Sequence, residues 1–175
     1  MFAETVLHSG GITEGHASEA HAAHLIRRAL HRGYTVTPTP DGGACITWTA
    51  RRLGSGSLIE EPRSVVLTPH TPAGHLHASV RTALHAIARS ADAHAYLDKQ
   101  DRDRPRPGLR IRTSADAEPV DVRTTSRLYG CRLVTEERGR VRLTLTATLA
   151  LLAAHGADRD ALTAVFLPAP AAVPA

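Results

Sequence analysis

The sequence predicts an α+β fold in which helices alternate with β-hairpins, and three observations lead there. Apolar residues recur at helical spacing in Ala22, Leu25, Ile26, Ala29 and Leu30, again from Leu76 to Ile87, and again in the stretch Ala147 to Leu152. Short alternating runs flank glycine-bearing turns at Pro38 to Gly43 and at Glu136 to Gly139. With 175 residues, 42% of them hydrophobic, the chain is long enough to bury a core of its own.

The elements follow in order. Residues 1–16 carry little periodicity and read as a flexible arm. Ser18 is placed to cap a helix through about Arg32, and Gly33 supplies a left-handed exit. Tyr34 and Val36, then Ile46 and Trp48, predict a hairpin, and Val65-Val66-Leu67 predicts a third strand beyond the flexible Gly54 to Ser57 stretch. Residues 17–70 are therefore expected to form a helix plus a three-stranded β unit. Thr71-Pro72 is a helix start, and the helix from Pro72 is expected to run to about Leu97, with a break signalled near Ser90 to Asp92. Asp101 to Gly108, rich in proline and arginine, reads as an exposed linker. Leu109 to Thr113 alternates as a short strand. A helix is expected from about Val120 to Gly130, with Val122, Ser126 and Tyr129 inward and Arg123, Thr124 and Arg127 outward. A second hairpin over Leu133 to Thr144 and an apolar helix to His155 complete a unit spanning 71–167, and the Pro/Ala-rich tail 168–175 reads as disordered.

Composition narrows the function. Only 3% of residues are aromatic, which disfavours a single-strand binder built on stacking platforms. The net charge is +4 and Lys99 is the sole lysine, so the basic side chains are almost all arginine, the residue suited to phosphate and guanine edges. Cys45 and Cys131 stand far apart without a CxxC partner, and no stretch approaches the roughly 18 continuous apolar residues of a membrane span. A cytoplasmic protein is expected, with no membrane partner. His21 with His24 and His75 with His77 lack the spacing of a zinc protease, and the glycine-rich phosphate loop, the dinucleotide fingerprint and the nucleophile elbow are absent. The expectation is a protein without catalytic residues, metal or cofactor.

The order helix, Gly130, Leu133-Val134, charged turn, Arg140-Val-Arg-Leu-Thr144 and Thr146 to Leu152 resembles the end of winged helix-turn-helix domains of the MarR-type bacterial regulators. The resemblance implies a winged helix carrying an additional amino-terminal helix and β-hairpin unit. It implies a sequence-specific duplex DNA-binding protein, a transcriptional regulator or mobile-element accessory factor acting as a homodimer through the helix from Pro72 to Leu97. Arg123, Thr124, Thr125 and Arg127 would meet the major groove, and Arg138 and Arg140 the backbone or minor groove. Glu136 and Glu137 at the turn oppose phosphate contact and favour the alternative, a protein-interaction or assembly module of the same fold. Leu25 to Thr49 repeats the helix, glycine and hairpin order, so Arg27, Arg28, Arg51 and Arg52 form a possible second basic surface.

Overall fold

The computed structural model describes residues 1–8, 11–54, 57–98 and 108–167. Most of the linker expected at 101–108 and the tail expected at 168–175 lie outside the described residues.

The chain begins with two strands where an arm was expected. β1 (Phe2–His8) and β2 (Gly11–Ala17) pair antiparallel, and β1 also pairs with β5 (Ser57–Pro69). With β3 (Thr35–Pro38) and β4 (Ala44–Gly54) they make an antiparallel sheet in the order β2-β1-β5-β4-β3. The amino-terminal strand is thus interior to the sheet. Register puts Phe2, Val6, Val36, Ile46, Val65 and Leu67 on one face. The alternation of β1 is hard to read because Glu4 interrupts it, and β2, an edge strand, exposes every residue before Ala17.

α1 (Glu19–His31) lies on the apolar face of this sheet. Ser18 accepts a hydrogen bond from the His21 amide at 3.1 Å, Ala22, Ile26, Ala29 and Leu30 are buried, and Gly33 exits at φ 77°. Beyond Thr47 and Ser64, β4 and β5 pair only with each other and project as a two-stranded arm.

The long helix expected from Pro72 is only α2 (Ala78–Arg89), twelve residues. Its apolar face, Val80, Ala83, Leu84 and Ile87, is spent on the chain's own core, and its end is followed by β6 (His94–Asp98), which pairs with β7 (Gly108–Arg112). Residues 94–98 form a strand in which Ala95 pairs with Ile111, a fully buried residue, while Leu97 stays exposed. The homodimer contact expected along that helix therefore has no long helix to form on. α3 (Val122–Gly130), β8 (Val134–Glu137), β9 (Arg140–Leu143) and α4 (Leu145–Ala154) follow in the expected order. The Val141 amide donates to the Ala93 carbonyl at 2.7 Å, tying the second hairpin to the turn after α2. Among the described residues no helix stands between α2 and α3; a β-hairpin occupies that place. α5 (Arg159–Phe166), not foreseen from sequence, closes the described chain with Asp158 as its cap and Leu162 and Phe166 buried.

Two cores result, and α4 belongs to both. Its Leu145 and Leu149 join the core under the five-stranded sheet, while Ala147, Ala150 and Leu151 join the core of α2, β7, α3 and the second hairpin. That explains its sequence: a helix apolar all round is one covered on opposite sides. Polar contacts reinforce the junction. Thr144 caps α4, the Leu145 amide donates to Glu19 Oε1 at the start of α1, and Arg159 Nη2 donates to the Leu30 carbonyl at 3.2 Å. Gly42, at φ 89°, sits so close to α4 that a Cβ there would lie 2.4 Å from Thr146 Cγ2 and 2.5 Å from the Thr146 carbonyl oxygen. The boundary expected at residue 70 is therefore crossed by an interior helix. β3 and β4 are part of a five-stranded sheet while β8 and β9 stand as a pair, so the two helix-hairpin segments differ in their surroundings.

Candidate nucleic-acid interface

α3 starts where its backbone amides meet a carboxylate. Asp121, extended at φ −61° and ψ 155°, accepts from the Thr124 amide at 2.9 Å. The Thr124 hydrogen bonds, side chain first and backbone second, hold its carboxyl below the usual aspartate value.

Burial then decides which side of α3 faces outward. Thr124 and Thr125 are 7% and 0% exposed, and Leu128 is 0% exposed. The Thr125 hydroxyl donates to the Val120 carbonyl at 3.4 Å. Both threonines expected to meet DNA are therefore interior. The inward stripe is centred on Thr124, Thr125 and Leu128, with Val122 and Tyr129 half-buried beside it; of the three residues expected inward, Ser126 is the exposed one. Threonine methyls pack as apolar groups once the hydroxyl has a backbone acceptor. The outward face is Arg123, Ser126, Arg127 and Gly130 at i, i+3, i+4 and i+7. Ser126 is the residue sequence reasoning placed inside. The signal for it was local: Asp121 as cap fixes the helical phase.

Two arginines hold unusual backbone. Gly130 ends α3 as expected, and the left-handed residue that follows is Arg132 at φ 52°, with the Leu133 amide closing on the Leu128 carbonyl at 2.9 Å. Arg138, also at φ 52°, and Gly139 at φ 74° form the two-residue turn between Glu137 and Arg140. Both left-handed positions suit a hairpin turn that favours Asn-Gly. Arg132 and Arg138 are the non-glycine residues of positive φ among those described. A side chain in that region costs about 1–2 kcal/mol.

The arginines differ in what they touch. Arg123, Arg127 and Arg138 are exposed and form no ion pair among the described residues. Arg140 is engaged: it pairs with Asp92 at 3.2 Å and donates to the Ala91 carbonyl at 3.0 Å, holding the hairpin on the turn after α2. Glu136 and Glu137 are exposed, and Glu136 together with burial pushes the Tyr129 phenol up, burial being the larger cause.

The second basic surface does not gather. Arg27 and Arg28 are exposed on α1. Arg51 and Arg52, consecutive on a strand, point to opposite faces. Arg51 pairs with Glu60 at 3.0 Å and Arg52 with Glu61 at 3.9 Å, so the arm carries its own counter-charges. The arm instead exposes Leu53, Leu58 and Ile59 at 79%, 60% and 40%.

Of the histidines, His21 lies 3.9 Å from Glu4, and His75 and His77 meet edge to face. Among the described residues no three His, Cys, Asp or Glu side chains form a metal-holding group. Cys45 and Cys131 are free and half-buried. No helix of the described residues is long and apolar enough to cross a membrane.

No protein-family model, curated protein or solved structure matches this chain.

Proposed function

We propose that this protein binds duplex DNA, laying the Arg123, Ser126 and Arg127 face of α3 against the major groove with Arg138 at the hairpin tip reaching the flanking backbone. The observation that carries the reading is the arrangement of unpaired arginines: two on one exposed helix face, and one presented by a strained two-residue turn where glycine or asparagine would be cheaper. Strain retained at an exposed position is a reason to look for function there. The winged helix is part of the proposal: α2, the α3 helix, the β8-β9 hairpin and the Ala93 to Val141 hydrogen bond support it. The helix that would precede α3 in a helix-turn-helix is replaced by β6-β7, so docking would rest on α3 and the hairpin.

Fluorescence anisotropy with a pool of duplex fragments tests this across salt concentration. Affinity falls steeply as salt rises if phosphates are contacted, and Arg127→Ala weakens binding by about 1–3 kcal/mol if it reaches a guanine. Arg51→Ala, whose guanidinium is already paired, leaves binding within about 0.5 kcal/mol. Equal losses from Arg51→Ala and Arg127→Ala, or no binding at low salt, refute the reading.

A protein-interaction module is favoured by a separate observation, the β4-β5 arm with neutralised charge and exposed Leu53, Leu58 and Ile59. Leu53→Ser with Leu58→Ser would then change the sedimentation of the assembly and leave DNA affinity unchanged.

A further inference from the structure

A cleft of about 720 Å³ opens between α2, β9, α4 and α5, on different residues from those proposed to meet DNA. This size lies within the range that holds a small organic ligand. Its floor is apolar, from Leu143, Leu151, Leu152 and Val165. Its polar groups are His85, Arg142, Thr148, His155 and Asp158. His85 from α2 and His155, which follows α4, place their Nε2 atoms 2.5 Å apart at the cleft, with ring centroids at 4.6 Å; Arg142, whose Nη1 donates to the Ser90 carbonyl at 3.4 Å, also lines it.

The charges facing this pair can be counted by element. α2 contributes Arg81 and Arg89, both close enough to act on His85, β9 contributes Arg142, and α5 contributes Asp158. Asp158 is already engaged, accepting from the Ala161 amide at 2.9 Å as the α5 cap. The influences on His85 all lower its affinity for a proton: burial first, then His155, Arg89 and Arg81. Arginines therefore surround the histidine pair, and the one carboxylate of the cleft, Asp158, is turned to the Ala161 amide at the start of α5. An apolar floor under such a rim suits a molecule with an apolar body and one negative head.

We propose that the cleft binds an apolar carboxylate, its body over Leu151 and Leu152 and its head group taken by His85, His155 and Arg142. At neutral pH the two imidazoles share one hydrogen bond, one donating and the other accepting. The incoming carboxylate displaces that bond and favours the protonated imidazoles, so binding takes up protons and strengthens as pH falls from 8 towards 6. Arg142 keeps its charge throughout and supplies the part of the attraction that pH does not change.

Octanoate is the probe, with octan-1-ol and octylamine as controls of similar apolar body and different head. Titration calorimetry on the full chain at pH 6 and pH 8, with the histidine side-chain resonances followed by NMR, reads the outcome. Octanoate is expected to bind at least about tenfold more tightly than octan-1-ol at pH 6, as a charge-assisted contact requires. His85 and His155 resonances should shift, and octylamine should not bind. His155→Gln, at an exposed position, should reduce the pH dependence while retaining the far-ultraviolet circular dichroism of the parent. Arg142→Gln should weaken octanoate at both pH values. No saturable binding, equal affinity for octanoate and octan-1-ol, or binding indifferent to both substitutions would overturn the proposal. DNA affinity measured in parallel keeps this outcome separate from the α3 reading.

Discussion

Replacing Leu149 by alanine tests whether α4 unites the two cores. Leu149 is fully buried in the core under the five-stranded sheet, while its neighbours Ala147 and Ala150 are buried in the other. Truncation removes three carbons, a transfer loss of about 2.4 kcal/mol at about 0.8 kcal/mol per carbon. The space left behind adds up to about 2 kcal/mol if the surroundings do not collapse, so a destabilisation of about 3–4 kcal/mol is expected. Equilibrium urea unfolding is the assay, read by two local probes. Trp48, the sole tryptophan, packs against the first core and reports by fluorescence. The Val141 amide, hydrogen-bonded to Ala93 beside the second core, reports by hydrogen exchange. Because α4 is interior to both, the two probes should lose stability together, as one cooperative unit. Leu53→Ala on the arm, 79% exposed, should change stability by no more than about 0.5 kcal/mol. A loss at Leu149 below about 1 kcal/mol, or a Trp48 transition that moves while Val141 protection stays, would refute the shared-core account.

Arg138→Gly should raise stability by up to about 1 kcal/mol by relieving the left-handed backbone, and should weaken duplex binding. Thermal unfolding and anisotropy check it: a less stable variant contradicts the strain, and full DNA affinity removes the arginine from the interface. Asp121→Ala should cost about 1 kcal/mol at neutral pH through loss of the α3 cap. Since the folded state holds the Asp121 carboxyl below its ordinary value, its contribution is present above about pH 4 and fades as pH falls further. Unfolding midpoints of parent and variant should therefore converge in acid; a gap that widens there would contradict the capping role.

Much of this fold was legible because its signals are local. Ser18 with the stripe through Leu30 specifies α1, the glycine-bearing turns specify both hairpins, and the apolar run from Ala147 specifies α4, whose cap is Thr144 rather than the expected start at Thr146. Each depends on residues within a few positions of one another. The candidate site was legible in its segment and in Arg123, Arg127 and Arg138, but its helical phase was not. Threonine is ambiguous: its hydroxyl serves a DNA contact or, when bonded to a nearby carbonyl, its methyl serves a core, and only the neighbours decide. Thr125 is 0% exposed because α3 packs on β7 and α2. Gly130 ends α3 as expected, and Arg132 takes the left-handed position beyond it, so that the Leu133 amide closes on the Leu128 carbonyl with both leucines buried.

By itself, then, the amino-acid sequence determined an α+β chain, the Ser18 cap and the two hairpin turns, and an arginine-bearing helix followed by a short hairpin. Tertiary structure decided what those elements met. It drew Phe2–His8 into the sheet through a strand more than fifty residues away, made residues 94–98 a strand by pairing them with Gly108–Arg112, and set Arg140 against Asp92. It also brought His85 to His155 and surrounded α4 on two sides. The physical reason is the range of the interactions: caps and turns satisfy backbone groups within one segment, whereas strand pairing, burial and charge pairing depend on which distant residues fill the remaining space.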